Sequence, residues 1–332
     1  MDGIQFCGFR CSFHDVIKAI GQLAGGYFAA NQLIGGDLWC WMALAIVGVK
    51  HLFQQLNHGG SVDRYAVFGN PIGHSKSPLI HRWFAEQTAQ DLQYDAILAP
   101  VDGFADSWQQ FVAAGGRGAN VTVPFKEQAF TLAQVVSERA QQAGAVNTLY
   151  IDSSGNLCGD NTDGVGLVAD LQRLGTTLAG AKVLLLGAGG ASRGVIGPLL
   201  AAGVAQLHIA NRTADKAQRV AALFGGKVSA SGYADIPPEH WQLIINATSS
   251  GLSQQRPDLD ISHLSACELA YDMMYGKEPT AFLAWCQQAK VPVCADGLGM
   301  LVAQAAQSFA IWRGVTPDVS AVLEKMTALV RQ

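Results

Sequence analysis

The sequence predicts a two-domain α/β protein with parallel sheet, and three observations carry that expectation. Strand-like and helix-like segments alternate from about residue 62 onward. The alternation restarts abruptly at Lys182-Val-Leu-Leu-Leu-Gly187, a continuous apolar run of the kind buried on both faces of a parallel sheet. The chain of 332 residues is long enough for two cores, at the usual ~100–200 residues per domain.

Composition narrows the function classes. With 49% hydrophobic and 14% charged residues the chain is globular rather than disordered. Lys and Arg total 22 against 26 for Asp and Glu, and no run of five basic residues occurs, so nucleic acid is not the expected main partner. The seven cysteines contain no C-x-x-C pair. That argues against a disulfide framework and against a four-ligand zinc site, so no metal is expected and a reducing cytoplasm fits best.

Residues 1–61 read differently from the rest. They hold six charged side chains, Asp2, Arg10, Asp15, Lys18, Asp37 and Lys50. The apolar run at residues 38–49 is shorter than the ~20 residues of a spanning helix, and no small-residue cleavage site follows it. Neither membrane insertion nor secretion is expected. No catalytic constellation falls here, and the simplest reading is a start assigned too early, with Val62 as the candidate initiator. The alternative is an amphipathic segment for a membrane surface or a partner.

From there the elements follow in order. Residues 65–68 read as a strand and 78–87 as a helix, with Pro78 at its first position and Ser77 as N-cap. Ser75-Lys76-Ser77-Pro78 therefore offers two hydroxyls at a positive helix end, which suits a carboxylate, although capping alone also accounts for Ser77. A strand at 119–123 is followed by Lys126, whose amine falls near a strand's carboxyl end. Asp163 stands just before the second α/β unit and either caps a helix from Gly164 or faces the same cleft. A Lys and an Asp together would make a proton-transfer pair.

Gly187-Ala188-Gly189-Gly190-Ala191-Ser192 follows the apolar strand and opens a helix-like stretch at 193–202, the context of a dinucleotide loop. After the next strand, at 206–210, an NAD enzyme would place an acid on the ribose; this chain has Asn211-Arg212-Thr213, with Lys216 one turn further. Two cations there favour the 2′-phosphate of NADP. Strands at 241–246 and 269–273 end near polar or glycine turns, where ligands bind in doubly wound sheets. Gly297 is a natural joint before a last helix at 299–312.

These motifs carry a resemblance. Ser75-Lys-Ser-Pro78, Asn120-Val-Thr-Val-Pro-Phe-Lys126, Gly144-Ala-Val-Asn-Thr148, Gly159-Asp-Asn-Thr-Asp-Gly164, the glycine loop, Asn211-Arg-Thr213, Asn246-Ala-Thr-Ser249 and Asp296-Gly-Leu-Gly-Met300 resemble shikimate dehydrogenases in kind and order from Asp63 onward. The resemblance implies a substrate domain at 62–162, a Rossmann-like NADP-binding domain with parallel sheet at 163–297, and C-terminal helices at 298–332 returning to the substrate domain. It implies reversible NADPH-dependent reduction of 3-dehydroshikimate to shikimate in chorismate and aromatic amino acid biosynthesis, by a monomer or homodimer. Lys126 and Asp163 would be catalytic. Ser75, Ser77, Thr122, Asn147, Tyr275 and Gln304 would hold the substrate with them. Gly187, Ala188, Gly189, Gly190, Ala191, Asn211, Arg212, Thr213, Lys216, Met273 and Gly297 would line the NADP side. The rivals are a quinate/shikimate paralogue, usually NAD-dependent, and a non-catalytic NADP-sensing module; Arg212 speaks against the first, Lys126 with Asp163 against the second.

Overall fold

The computed structural model describes residues 4–6, 9–11, 62–248 and 255–332. The chain divides into two units, residues 1–61 and 62–332. In the first, β1 (Ile4–Phe6) and β2 (Phe9–Cys11) form an antiparallel pair; the apolar run at 38–49 lies outside the described residues.

The second unit contains two six-stranded sheets. In the first sheet, β3 (Asp63–Gly69) pairs in parallel with β4 (Leu92–Leu98) and with β5 (Gly116–Val121). The antiparallel pair β7 (Thr148–Ile151) and β8 (Leu157–Asp160) extends it, and β6 (Val135–Val136) closes the edge, giving the order β4-β3-β5-β7-β8-β6. Helices α1 (Ser77–Thr88), α2 (Phe104–Ala113), α3 (Lys126–Leu132) and α4 (Glu138–Ala143) lie in its connections. Phe68 on β3 is fully buried against edge-on Phe104 and Phe111 of α2, because β3 is central and covered on both faces.

Helix α5 (Asp163–Arg173) leads into the second sheet, which is wholly parallel. Its strands are β9 (Lys182–Leu186), β10 (Gln206–Ala210), β11 (Val228–Ser231), β12 (Leu243–Asn246), β13 (Leu269–Asp272) and β14 (Val293–Asp296). The order β11-β10-β9-β12-β13-β14 reverses direction beside β9, the topological switch point at which doubly wound sheets bind ligands. Val183, Leu184, Leu185 and Leu186 of β9 are all fully buried, as the unbroken apolar run requires. Helices α6 (Gly190–Ala201), α7 (Ala214–Ala221) and α8 (Ala281–Gln288) connect these strands.

After β14 the chain enters α9 (Leu298–Arg313) and then α10 (Val319–Arg331), capped by Asp318, whose carboxylate accepts from the Ser320 N–H at 2.8 Å. Val302, Ala305 and Phe309 of α9 pack on Ile80 and Phe84 of α1, so the last helices return to the first sheet's side. Helices α5 and α9 are thus the two passages between the sheets. The α/β class with parallel sheet is borne out.

Candidate active site

A cavity of about 390 Å³ opens at the carboxyl ends of β3 and β5 and is bounded on its far side by the loop after β13 and by α9. Ser75, Ser77, Thr122, Lys126, Asn147, Asp163, Tyr275 and Gln304 all line it, and so do Met273 and Gly297. Residues separated by more than two hundred positions converge because α9 returns across the first sheet.

Strand β5 stops at Val121, two residues before the expected end, and Lys126, which follows it, is the first residue of α3. Its ammonium donates to Asp163 Oδ2 at 2.5 Å. The pair is 30% and 16% exposed, so it is shielded yet reachable from the cavity. Asp163 is not a helix cap: Thr162 holds the N-cap position of α5, and Asp163 is the first helical residue. Its other oxygen accepts from Asn147 Nδ2 at 2.7 Å. Both carboxylate oxygens therefore point back to the first sheet, and the amino end of α5 favours the negative charge.

Asn147 is itself held. Its Oδ1 accepts from the Thr162 N–H at 2.9 Å and from Thr148 Oγ1 at 2.8 Å, and its Nδ2 also reaches Gln304 Oε1 at 3.4 Å. Ser77 is not the N-cap of α1. Lys76 occupies that position in a right-handed helical conformation, which moves the start of the helix back by one residue and leaves Pro78 second. Ser75 Oγ instead accepts from the Ser77 N–H at 3.3 Å.

Asn120, which also lines the cavity, leads into a network the sequence reading missed. The Tyr94 hydroxyl donates to Asn120 Oδ1 at 2.7 Å, and burial pushes its ionisation well up. His81 Nε2 donates to the same oxygen at 3.1 Å, its ring stacked on Tyr94 at 4.2 Å. Burial lowers His81 to about 3, so it is neutral, and its Nδ1 has no hydrogen-bond partner. Asn120 Nδ2 donates to Ser308 Oγ of α9 at 2.9 Å. A polar Asn between apolar Ala119 and Val121 was the available signal.

On the other sheet, the glycine loop joins β9 to α6 at the switch point. Helix α6 starts at Gly190 without a side-chain cap, and a Cβ on Gly189 or Gly190 would meet nothing within 4 Å. Free N–H groups beside open space fit a pyrophosphate. Asn211 follows β10 and donates through Nδ2 to Thr213 O at 2.9 Å, fixing the turn. Arg212 and Lys216 are exposed and make no ion pair among the described residues; the Arg212 charge opposes the rise that burial gives the Tyr233 phenol. Two unpaired cations beside that turn fit a 2′-phosphate. No group of three or more metal-ligating side chains occurs among the described residues.

Comparison with known proteins follows the same lines. Residues 67–149 match the family model for the shikimate dehydrogenase substrate binding domain, residues 170–254 that for shikimate / quinate 5-dehydrogenase, and residues 297–327 that for the shikimate 5'-dehydrogenase C-terminal domain. The chain is 53% identical over 268 residues to shikimate dehydrogenase (NADP(+)) of Shewanella halifaxensis, covering 80% of this chain and 95% of that one. Among solved structures, an Ael1 enzyme from Pseudomonas putida is 44% identical with a TM-score of 0.76, covering 80% of this chain and 98% of that one. Shikimate 5-dehydrogenase from Thermus thermophilus, in complex with NADP(H) and shikimate, is 33% identical with a TM-score of 0.70, covering 79% and 97%.

Proposed function

The chain belongs to the shikimate dehydrogenase family, and from that premise we propose how its own residues carry out NADP-dependent interconversion of 3-dehydroshikimate and shikimate. The single observation that supports the assignment best is the 2.5 Å contact of Lys126 with Asp163 at the cavity wall.

NADPH, when bound, supplies a hydride to the ketone carbon. As the C=O bond opens, negative charge grows on its oxygen, and the Lys126 ammonium stabilises that charge and gives the oxygen its proton. In the oxidative direction neutral Lys126 takes the hydroxyl proton back. Asp163 holds the amine at the reacting oxygen, and Asn147 holds Asp163. Ser75 and Ser77, at the amino end of α1, take the substrate carboxylate, where helix N–H groups favour an anion. Thr122, Tyr275 and Gln304 contact the ring hydroxyls, and Met273 and Gly297 border the face toward the cofactor. The glycine loop holds the pyrophosphate, with Asn211 and Thr213 shaping the turn and Arg212 and Lys216 on the 2′-phosphate.

The proposal includes the division into a substrate domain at 62–162, an NADP domain at 163–297 and returning helices at 298–332. No helix among the described residues is long and apolar enough to cross a membrane. The proposed enzyme is cytoplasmic and acts as a monomer or homodimer.

The test is a four-way assay of shikimate and quinate, each with NADP and NAD. Turnover of shikimate with NADP well above the other three combinations is expected; preference for quinate with NAD would overturn the assignment of Arg212 and of the substrate.

A further inference from the structure

Helices α5 and α9 meet at a buried carboxylate that no step above uses. Asp170 lies about two turns beyond Asp163 on α5 and is 2% exposed. Its Oδ2 accepts from the Tyr271 hydroxyl at 2.7 Å, and its Oδ1 accepts from Arg173 Nε at 2.8 Å. Tyr271 is fully buried on β13, in one apolar cluster with Met300 of α9. Met300 stands in the first turn of α9. Contact here is close. A Cβ on Gly299 would stand 2.0 Å from Asp170 Oδ1, and one on Gly166 would stand 2.7 Å from the backbone nitrogen of Gln304.

Stability alone would be served by an apolar side chain, since a buried ion pair is a weak source of net stability. What the carboxylate adds is direction: it orients one hydroxyl and itself lies against Gly299 in the first turn of α9. Each element tied together here reaches the cavity a short way on, α5 through Asp163, α9 through Gln304, and β13 through Met273 and Tyr275.

We propose that Asp170 and Tyr271 form a positioning unit that seats the start of α9 on the parallel sheet and thereby sets the reacting distance across the cleft. The unit touches neither substrate nor cofactor; it acts through the helices that do. The inference rests on the hydride-transfer reading of the cleft.

The experiment uses the full chain and Tyr271→Phe, which removes one oxygen and keeps the ring. A misplacement of a fraction of an ångström is enough to lower kcat by roughly tenfold, while KM and the calorimetric affinity for shikimate stay within about twofold. Amide exchange at Leu301, whose N–H is bonded to Gly297 O in the first turn of α9, should quicken, a readout independent of turnover. Asp170→Asn should give the same defect, and adding it to Tyr271→Phe should lower kcat little further, because both act on one contact. Arg173→Gln strips only the half-exposed partner and should keep the parent's kcat. A Tyr271→Phe enzyme with the parent's kcat, or one whose whole loss follows shikimate affinity, overturns the proposal. If the parent itself fails to reduce 3-dehydroshikimate, the reading of the cleft falls and the positioning unit with it; a working parent beside an unimpaired Tyr271→Phe overturns the positioning unit alone.

Discussion

The two sides of the cleft are built on opposite plans. On the side of the mixed sheet, polar groups that line the cavity are bonded to one another: Lys126 to Asp163, Asp163 to Asn147, Asn147 to Gln304. On the side of the parallel sheet, the glycine loop is uncapped and Arg212 and Lys216 have no ion-pair partner among the described residues. The first plan sets geometry before anything binds, as a proton transfer needs. The second leaves its cations exposed and its helix end uncapped, as the proposed phosphate contacts require. Substitutions on the two sides should therefore fail differently, the first in rate and the second in affinity.

The largest effect is expected on the wired side. Lys126→Met removes the ammonium and keeps most of the side chain's length, so kcat should fall by roughly 10²–10⁴, the usual worth of a positioned acid or base. Calorimetry should find shikimate affinity little changed, because Ser75, Ser77 and Gln304 remain. A defect confined to affinity would erase the contrast.

On the open side, Arg212→Ala should weaken NADP by roughly 1.5–3 kcal/mol, the worth of a hydrogen bond to a charged group. NAD, which lacks the 2′-phosphate, should bind as before. Equal losses for both dinucleotides in fluorescence titration would remove the phosphate from the account.

Arg212 and Lys126 stand out in the sequence as candidates because each sits in a local motif: a cation directly after a strand, a lysine directly after Asn120-Val-Thr-Val-Pro-Phe125. The parallel sheet was legible for the same reason, since a run such as Lys182–Leu186 that is apolar throughout has few other places to go. The support beneath the cavity was not. Asn120 meets Ser308 across 188 positions, and Asp170 meets Tyr271 across 101; such pairs exist only once both sheets have formed. Ser77 was read as a cap because Pro78 favours a helix's first position, yet Lys76 adopts helical dihedrals and starts the turn a residue earlier.

A smaller effect compares the two buried histidines. Burial lowers His81, on the wired side, to about 3, and His208, on the parallel sheet between Ser229 and Ser231, to about 4. Each is depressed in the fold, so the unfolded chain binds the extra proton. The stability each contributes is full above about pH 6.5 and is lost as pH falls toward the folded value, by about 1.4 kcal/mol per unit within that window. Urea melts from pH 7 to pH 3.5 should show a shallower fall for His81→Gln and for His208→Gln than for the parent. Below about pH 4 only His81→Gln should still differ in slope. Slopes equal to the parent's would mean that neither histidine is held neutral by burial.

The smallest effect is expected from the segment outside the family match. A chain beginning at Val62 should melt and turn over like the full one, within about twofold in kcat, since no group assigned to the chemistry precedes it. Aggregation or lost activity of the shorter chain would give residues 1–61 a part in the enzyme.

The central claim is that Lys126 and Asp163 work as one prewired proton-transfer unit, and a double-mutant cycle on NADPH oxidation with 3-dehydroshikimate tests it most directly. Lys126→Met and Asp163→Asn should each slow turnover. The double variant should lose much less than the product of the two losses, because each alone disables the same step. Near-parental turnover of Lys126→Met, or losses that multiply in full, would contradict the claim.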